Sequence, residues 1–368
     1  MELYQEQLLS LLGKALFGRE SEAVLTDEIL QEARLQTVSS LISKDEYAVM
    51  ANNMLVDAAH AALTKTLEGI PFVTIKGYAS AFYYPDPLLR QMGDVDFYVE
   101  APWAEKAERL LLDAGFKPIR QEHERHNAYV KNKITYELHT ILKGMPNEED
   151  GIPAESQAIE LGIREYFSDV IDSAKQVSIK QGEIIVPDEF HHGLIMLLHV
   201  AAHLMNDGGI GLRHLCDWAT YADKVDVSLY REQLKKVGLW TFACQLTATC
   251  IKYLGLREMD WVEPCDGKLL DELIEDVMEG GNFGRKEDNR SGISHLTEDD
   301  NVLRALAKMT QRRFPIVKKI PLLLPGAMAW WAIRHCLLQL FGKRQGIHVS
   351  DVKKRKDFCK QFKLFVLE

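Results

Sequence analysis

Over the first seventy positions the apolar residues recur at helical spacing: Leu8, Leu11, Leu12 and Ala15, then Met50, Met54, Leu55, Ala58 and Ala62. A step of three and four turns one helix face toward a core, so 1–70 reads as a helical lead-in packed on the core of the chain. Pro71 ends it. The apolar, β-branched run 72–75 predicts a short buried strand, Gly77 a turn, and the next residues a short helix to Tyr84 before the loop Pro85-Asp86-Pro87. A second strand is predicted over 94–99. Ala104, Ala107, Leu110, Leu111 and Ala114 predict a helix over 103–114 that closes at Gly115.

The runs 128–130 and 134–139 flank Lys131-Asn132-Lys133 and read as a hairpin; 177–179 and 183–186 read as another around Gln181-Gly182. After Pro187 the period changes from two to 3.6, and almost everything to position 368 is helical, with breaks at Gly208-Gly209, at 280–284 and at Pro321. The pattern predicts an α+β chain: a mixed-sheet core over 71–187, N-terminal helices before it and an all-α domain over 188–368. At 368 residues the chain is longer than the ~250–300 that one core usually serves, which favours this division.

Two carboxylates, Asp94 and Asp96, alternate on one face of the predicted second strand, because strand side chains have period two. A third, Glu137, sits on the polar face of Ile134-Thr135-Tyr136-Glu137-Leu138-His139, with Tyr136 and Leu138 on the apolar one. Hard divalent cations take carboxylate oxygens, and such a set suits phosphoryl or nucleotidyl transfer with Mg²⁺ or Mn²⁺. Gly77 lets backbone approach a phosphate with no Cβ in the way, and a helix starting there offers N-terminal amides to an anion. Lys76 is the expected triphosphate contact, with Ser80 nearby. Arg90 either forks onto a phosphate or neutralises the acids when no metal is bound. His139 shares the face of Glu137 and is expected to orient it.

The ordered set Lys76-Gly77, Tyr84-Pro85, Arg90, Asp94-Val95-Asp96 and Glu137-Leu138-His139 resembles the polymerase-β-like nucleotidyltransferases, and within them a bacterial nucleotidyltransferase family. Gly209-Ile210-Gly211-Leu212-Arg213-His214-Leu215-Cys216-Asp217-Trp218 and Gly281-Asn282-Phe283-Gly284 look like later signatures of that family. The resemblance implies metal ligation by Asp94, Asp96 and Glu137, an NTP as substrate, and transfer of its NMP to a hydroxyl or phosphate with release of pyrophosphate. It implies no settled acceptor. Two departures stand out: Tyr78 replaces the serine that follows the glycine in the wider superfamily, and the stretch from Gly77 to Asp94 is longer than in compact members. A catalytically silent nucleotide- or partner-binding protein on the same fold is the competing reading.

His199 and His203 lie one turn apart on a predicted helix and read as buried, hydrogen-bonded side chains or cleft contacts to a nucleotide or acceptor ahead of a shared transition metal; the glutamate of H-E-x-x-H is missing, so a metalloprotease is not supported. Arg213 and Asp217 are likewise one turn apart, either paired with each other or facing the cleft. The net charge of −10 argues against bulk nucleic acid and leaves a small molecule, peptide or protein as acceptor. Six cysteines without a C-x-x-C pair and an N-terminus without a basic, apolar leader fit a cytoplasmic protein. The basic runs Arg312-Arg313 and Lys353-Lys354-Arg355-Lys356 read as solvated helix faces. The most apolar stretch, 321–341, holds Pro325, Gly326, Arg334 and His335, so it is read as a buried or partner-facing helix instead of a transmembrane one, with peripheral membrane contact as the lesser alternative.

Overall fold

A computed structural model describes residues 1–43, 47–119, 126–146, 154–206, 209–281, 314–340 and 349–367, together with Ala307, Thr310 and Gln311. Four helices come first: α1 (Leu3–Phe17), α2 (Asp27–Leu35), α3 (Ser39–Ile42) and α4 (Tyr47–Thr66). The α/β segment then runs β1 (Phe72–Thr74), α5 (Tyr78–Ala81), β2 (Asp94–Val99), α6 (Ala101–Asp113), β3 (Lys117–Ile119), β4 (His126–Lys131), β5 (Ile134–His139), α7 (Gln157–Phe167), β6 (Lys175–Ile179) and β7 (Gly182–Val186). Helices complete the chain: α8 (Glu189–Asn206), α9 (Leu212–Lys224), α10 (Arg231–Lys236), α11 (Trp240–Leu254), α12 (Gly267–Gly280), α13 (Pro315–Lys319), α14 (Leu324–Leu340) and α15 (Val349–Lys360). The chain is α+β, as its pattern predicts. The expected helix after Gly77 is only four residues long and stops at Ala81.

Five strands form one sheet in the order β1-β2-β5-β4-β3, and β6 pairs with β7 separately. The sheet is mixed: β2 and β5 run parallel, while the other described neighbours are antiparallel. The β4–β5 hairpin turns on Asn132 and Lys133, both at positive φ (52° and 68°), the backbone that a two-residue turn needs to follow the strands' twist. Alternation along β2 and β5 gives the sheet two unlike faces. Val95, Phe97, Val99, Tyr136 and Leu138 are buried in a core shared with Val56 and Leu63 of α4, while Asp94, Asp96 and Glu137 occupy the other face.

A second core lies on that other side. Val73 and Ile75 of the β1 region join Leu8, Leu12 and Ile29 of α1 and α2 and the buried residues of α8, α9 and α11. The lead-in helices thus divide: α1 and α2 pack with the C-terminal helices, and α4 packs beneath the sheet. The polar face of β2 and β5 is consequently turned toward the helical region, with Asp96 buried, Glu137 half-buried and Asp94 exposed at the start of its strand. That arrangement positions the site.

Far along the chain, α14 departs from the expected burial: between Leu324 and Arg334 no side chain is buried, and Trp330 and Ile333 are exposed. The Asn282-Phe283-Gly284 part of the late glycine signature lies outside the described residues.

Candidate active site

Register fixes the acids before any side chain is placed. Asp96 pairs with Glu137, and Asp94 with Thr135, across the parallel β2–β5 ladder, which sets the three carboxylates on one face. At the end of β1 the Ile75 amide donates to the Asp96 carbonyl at 3.1 Å, and the chain turns at Gly77, whose φ is +55°. An added Cβ there would meet nothing closer than 3.5 Å, so the glycine is required by its backbone conformation and not by crowding. The turn leaves Lys76 beside the acids.

The Lys76 ammonium donates to Asp96 Oδ1 at 2.8 Å, and His139 Nε2 lies 2.9 Å from the same oxygen. Burial alone would raise the Asp96 carboxyl, but Lys76 and His139 outweigh it and hold the group below the usual carboxylate range. An ionised carboxylate only accepts, so the shared proton resides on His139 Nε2. Glu137 Oε2 is 3.5 Å from the same nitrogen, so His139 orients Asp96 first and Glu137 second, a sharper role than the sequence suggests. Asp94 is pushed up to about 6, chiefly by the Asp96 charge, then by burial, with Glu137 adding to it. Crowded carboxylates with one raised value are a feature of functional sites. Lys76 is raised above its ordinary value, because Asp96, with help from Asp94 and Glu137, overcomes its burial.

Arg90 has a hydrogen-bonded partner that local spacing does not suggest. Its guanidinium is buried and makes a fork onto Asp217 of α9, Nε to Oδ1 and Nη2 to Oδ2, both at 2.7 Å. The Tyr84 hydroxyl donates to the same Asp217 Oδ1 at 2.7 Å. Burial would raise Asp217, but Arg90 and Tyr84 hold it below the usual range. Asp217 thus accepts hydrogen bonds from Arg90 and Tyr84, and the charge of Arg213 one turn before it adds to theirs. Asn53 of α4 secures the loop from beneath: its amide donates to the Leu88 and Arg90 carbonyls, both at 2.7 Å, and its oxygen accepts from the Met92 amide at 3.0 Å. Three family marks distant in sequence, Tyr84, Arg90 and Asp217, thus form one hydrogen-bonded node. Ser80 is buried within α5, and that helix is too short to present an N-terminal anion site.

A histidine cluster stands nearby. His199 and His203 of α8 have ring centres 4.5 Å apart, and His214 of α9 joins them at 5.7 and 5.0 Å. Three ring nitrogens, one from each, lie within 4.8 Å of one another, as do ligand atoms of Asp96, Glu137 and His139. His199 is held well below its ordinary value by burial, then by His203, Lys76 and Lys143. His214 is held down by burial, His203, Arg213 and Lys143. Arg213 itself is lowered by burial and by the Arg90 charge.

Sequence reading misses Lys143, whose Nζ lies 3.2 Å from His203 Nε2. The signal is Gly144 after it. Gly144 has φ +86°, and a Cβ there would sit 2.1 Å from the Leu198 carbonyl oxygen, so the chain after β5 lies directly against α8. Among the described residues no helix is long and apolar enough to cross a membrane.

Known proteins add one finding at the level of family. Neither a curated protein nor a solved structure matches the chain. A family model described as an uncharacterised nucleotidyltransferase matches residues 25–255, more than half of the chain, from α2 through α4 and the acid-bearing sheet to the end of α11. With the carboxylates, the Lys76-Gly77 turn and the Tyr84–Arg90–Asp217 node all inside that span, the chain belongs to this nucleotidyltransferase family.

Proposed function

We propose that the protein is a divalent-metal-dependent nucleotidyltransferase that moves an NMP from an NTP to a hydroxyl or phosphate of a small-molecule, peptide or protein acceptor, with release of pyrophosphate. The observation that carries this reading is the direct register pairing of Asp96 with Glu137 beside Asp94, in a chain of this family. The donor set fits Mg²⁺ or Mn²⁺: oxygen ligands, net negative charge, and an Asp94 carboxyl raised to about 6 chiefly by the Asp96 charge. Asp94, Asp96 and Glu137 would hold the ion, with His139 excluded as a ligand while its Nε2 proton serves Asp96. A bound divalent cation supplies charge stabilisation at the reacting phosphate oxygens.

The remaining roles belong to the chain. Lys76 keeps Asp96 ionised and, one residue from the turn, is the nearest ammonium to an incoming phosphate. Lys143, His203 and Arg213 line the helical side with positive charge and N–H donors, which suits the rest of a triphosphate. The Tyr84–Arg90–Asp217 node fixes the helical region against the loop that precedes β2, so that both halves of the site keep their spacing. The crowding of Asp94, Asp96 and Glu137 on one sheet face supports a working site over a silent scaffold.

The test is Mn²⁺ titration followed by electron paramagnetic resonance, with labelled NTPs and pyrophosphate release measured in parallel, on the wild type and Asp96→Asn. The substitution keeps the shape while removing the charge. Mn²⁺ affinity and pyrophosphate release are expected to fall at least about a hundredfold, the scale on which single charge-stabilising groups act. Equal Mn²⁺ binding and equal release in the two proteins would sink the assignment.

A further inference from the structure

Charge is distributed very unevenly along this acidic chain. Residues 302–356 contain thirteen of its 44 lysines and arginines and only one of its 54 acids, Asp351, for a formal charge of +12 within a protein of net −10. The same segment displays apolar side chains to solvent. Leu322 is 92% exposed, and Ile316, Ile320, Leu323, Trp330 and Ile333 are exposed as well. On α14 the exposed positions are Pro325, Gly326, Ala329, Trp330, Ile333 and Arg334, spaced three and four apart, so the outward face carries apolar side chains with Arg334 as its cation. An ordinary surface helix shows the reverse.

We propose that this surface docks the protein on a bilayer rich in anionic phospholipid. Two properties select that partner over another protein surface. The apolar plateau is bordered by Lys319 and Arg334 on the described surface, and the surrounding sequence is almost free of acids, which matches an anionic headgroup layer above hydrocarbon. Its chemistry is also interfacial: Arg334 lies over the Trp330 ring at 5.8 Å, and Phe314 meets that ring edge-on at 5.6 Å, grouping aromatic and cation at one level. The rest of the chain, with 31 lysines and arginines against 53 acids, is repelled by such a membrane, so the contact is confined to this end. Leu322, Trp330 and Ile333 enter the headgroup–acyl boundary while Lys319 and Arg334 stay among the phosphates. The segment lies on the membrane and does not span it: α14 is short and carries Arg334, and among the described residues no helix is long and apolar enough to cross.

The test is vesicle flotation of the full chain with pure phosphatidylcholine and with equal parts phosphatidylcholine and phosphatidylglycerol. The wild type is expected to float with the anionic vesicles at least about tenfold better than with neutral ones, an advantage that added salt erases. Lys319→Glu/Arg334→Glu lowers anionic binding at least about twentyfold, from about fivefold per lost cation, and Leu322→Asp/Ile333→Asp at least about tenfold. Both variants alter exposed side chains, so their circular dichroism and melting temperature match the wild type. Equal flotation with neutral and anionic vesicles, or none with either, overturns the proposal. So does a wild-type dimer in light scattering that Leu322→Asp/Ile333→Asp makes monomeric while vesicle binding is absent; that result assigns the face to a second copy of the chain.

Discussion

Two clusters of side chains that could serve as ligands, one built on acids and one on histidines, differ in their surroundings. Asp94, Asp96 and Glu137 crowd negative charge on one sheet face with a single ammonium, Lys76, drawn in to offset it. His199, His203 and His214 present a compact set of nitrogens, but burial first, and then neighbouring positive charges that include Lys143, hold His199 and His214 well below the ordinary value. The Lys143 ammonium can only donate, so His203 Nε2 is the acceptor, and the Gly211 amide donates to His214 Nδ1 at 3.1 Å, which places the His214 proton on Nε2. A protonated nitrogen is not a ligand. Proximity of donors therefore does not make a cation site; the sign of the local field does.

The comparison breaks most severely at Gly144, the residue that lets Lys143 reach the histidines. Gly144→Ala forces a Cβ into the Leu198 carbonyl and strains a positive-φ backbone, and is expected to cost at least about 4 kcal/mol. Urea denaturation of the variant checks it; a loss below about 1 kcal/mol would show that the loop moves freely off α8.

Buried histidines supply the next largest effect. His60 and His192 are both pushed down to about 4 by burial, below the ordinary 6.5 that unfolding restores. The unfolded chain therefore takes up protons first, so the stability present above about pH 6.5 is lost as pH falls toward about 4. Each group contributes at most about 3 kcal/mol at neutral pH. Denaturation midpoints at pH 7 and pH 5 read this directly, and equal midpoints would contradict the burial of both rings.

Cation binding sharpens the contrast between the triads. Co²⁺ added to the wild type is expected to give an oxygen-ligated spectrum, unchanged within about twofold in affinity by His199→Gln, whereas Glu137→Gln lowers affinity on the order of a hundredfold. An intense tetrahedral cobalt band that disappears with His199→Gln would reverse the roles assigned to the two clusters. The smallest effect lies at the far end of the sheet. Lys133 occupies a left-handed conformation that glycine adopts without strain, so Lys133→Gly is expected to stabilise the hairpin by about 0.5–1 kcal/mol and leave cation binding unaltered.

Local pattern is sufficient for much of this. Strand β2 begins at Asp94 and ends at Val99 as alternation predicts, the β4–β5 hairpin turns where Asn132 stands, and α6 ends before Gly115, because these features depend on period and on one or two backbone dihedrals. Arg90 is not legible in that way. Its i+4 neighbour Asp94 is the obvious partner, yet the side chain bonds Asp217, 127 positions away, and nothing in local spacing encodes such a pairing. Lys143 escapes notice for the same reason: its meaning depends on where Gly144 places the chain against α8.

The sequence by itself determined which acids share a face, where the glycine turn falls, and that a helical region succeeds the sheet, since side-chain periodicity and φ preference act within a few residues. Only the tertiary structure decided that β2 and β5 are parallel neighbours with Asp96 opposite Glu137, that Lys76 and His139 converge on one carboxylate oxygen, that Arg90 joins sheet loop to α9, and that Trp330 and Ile333 of α14 are exposed. Those outcomes depend on which surfaces of distant elements meet, and burial and electrostatics act there across the whole chain at once.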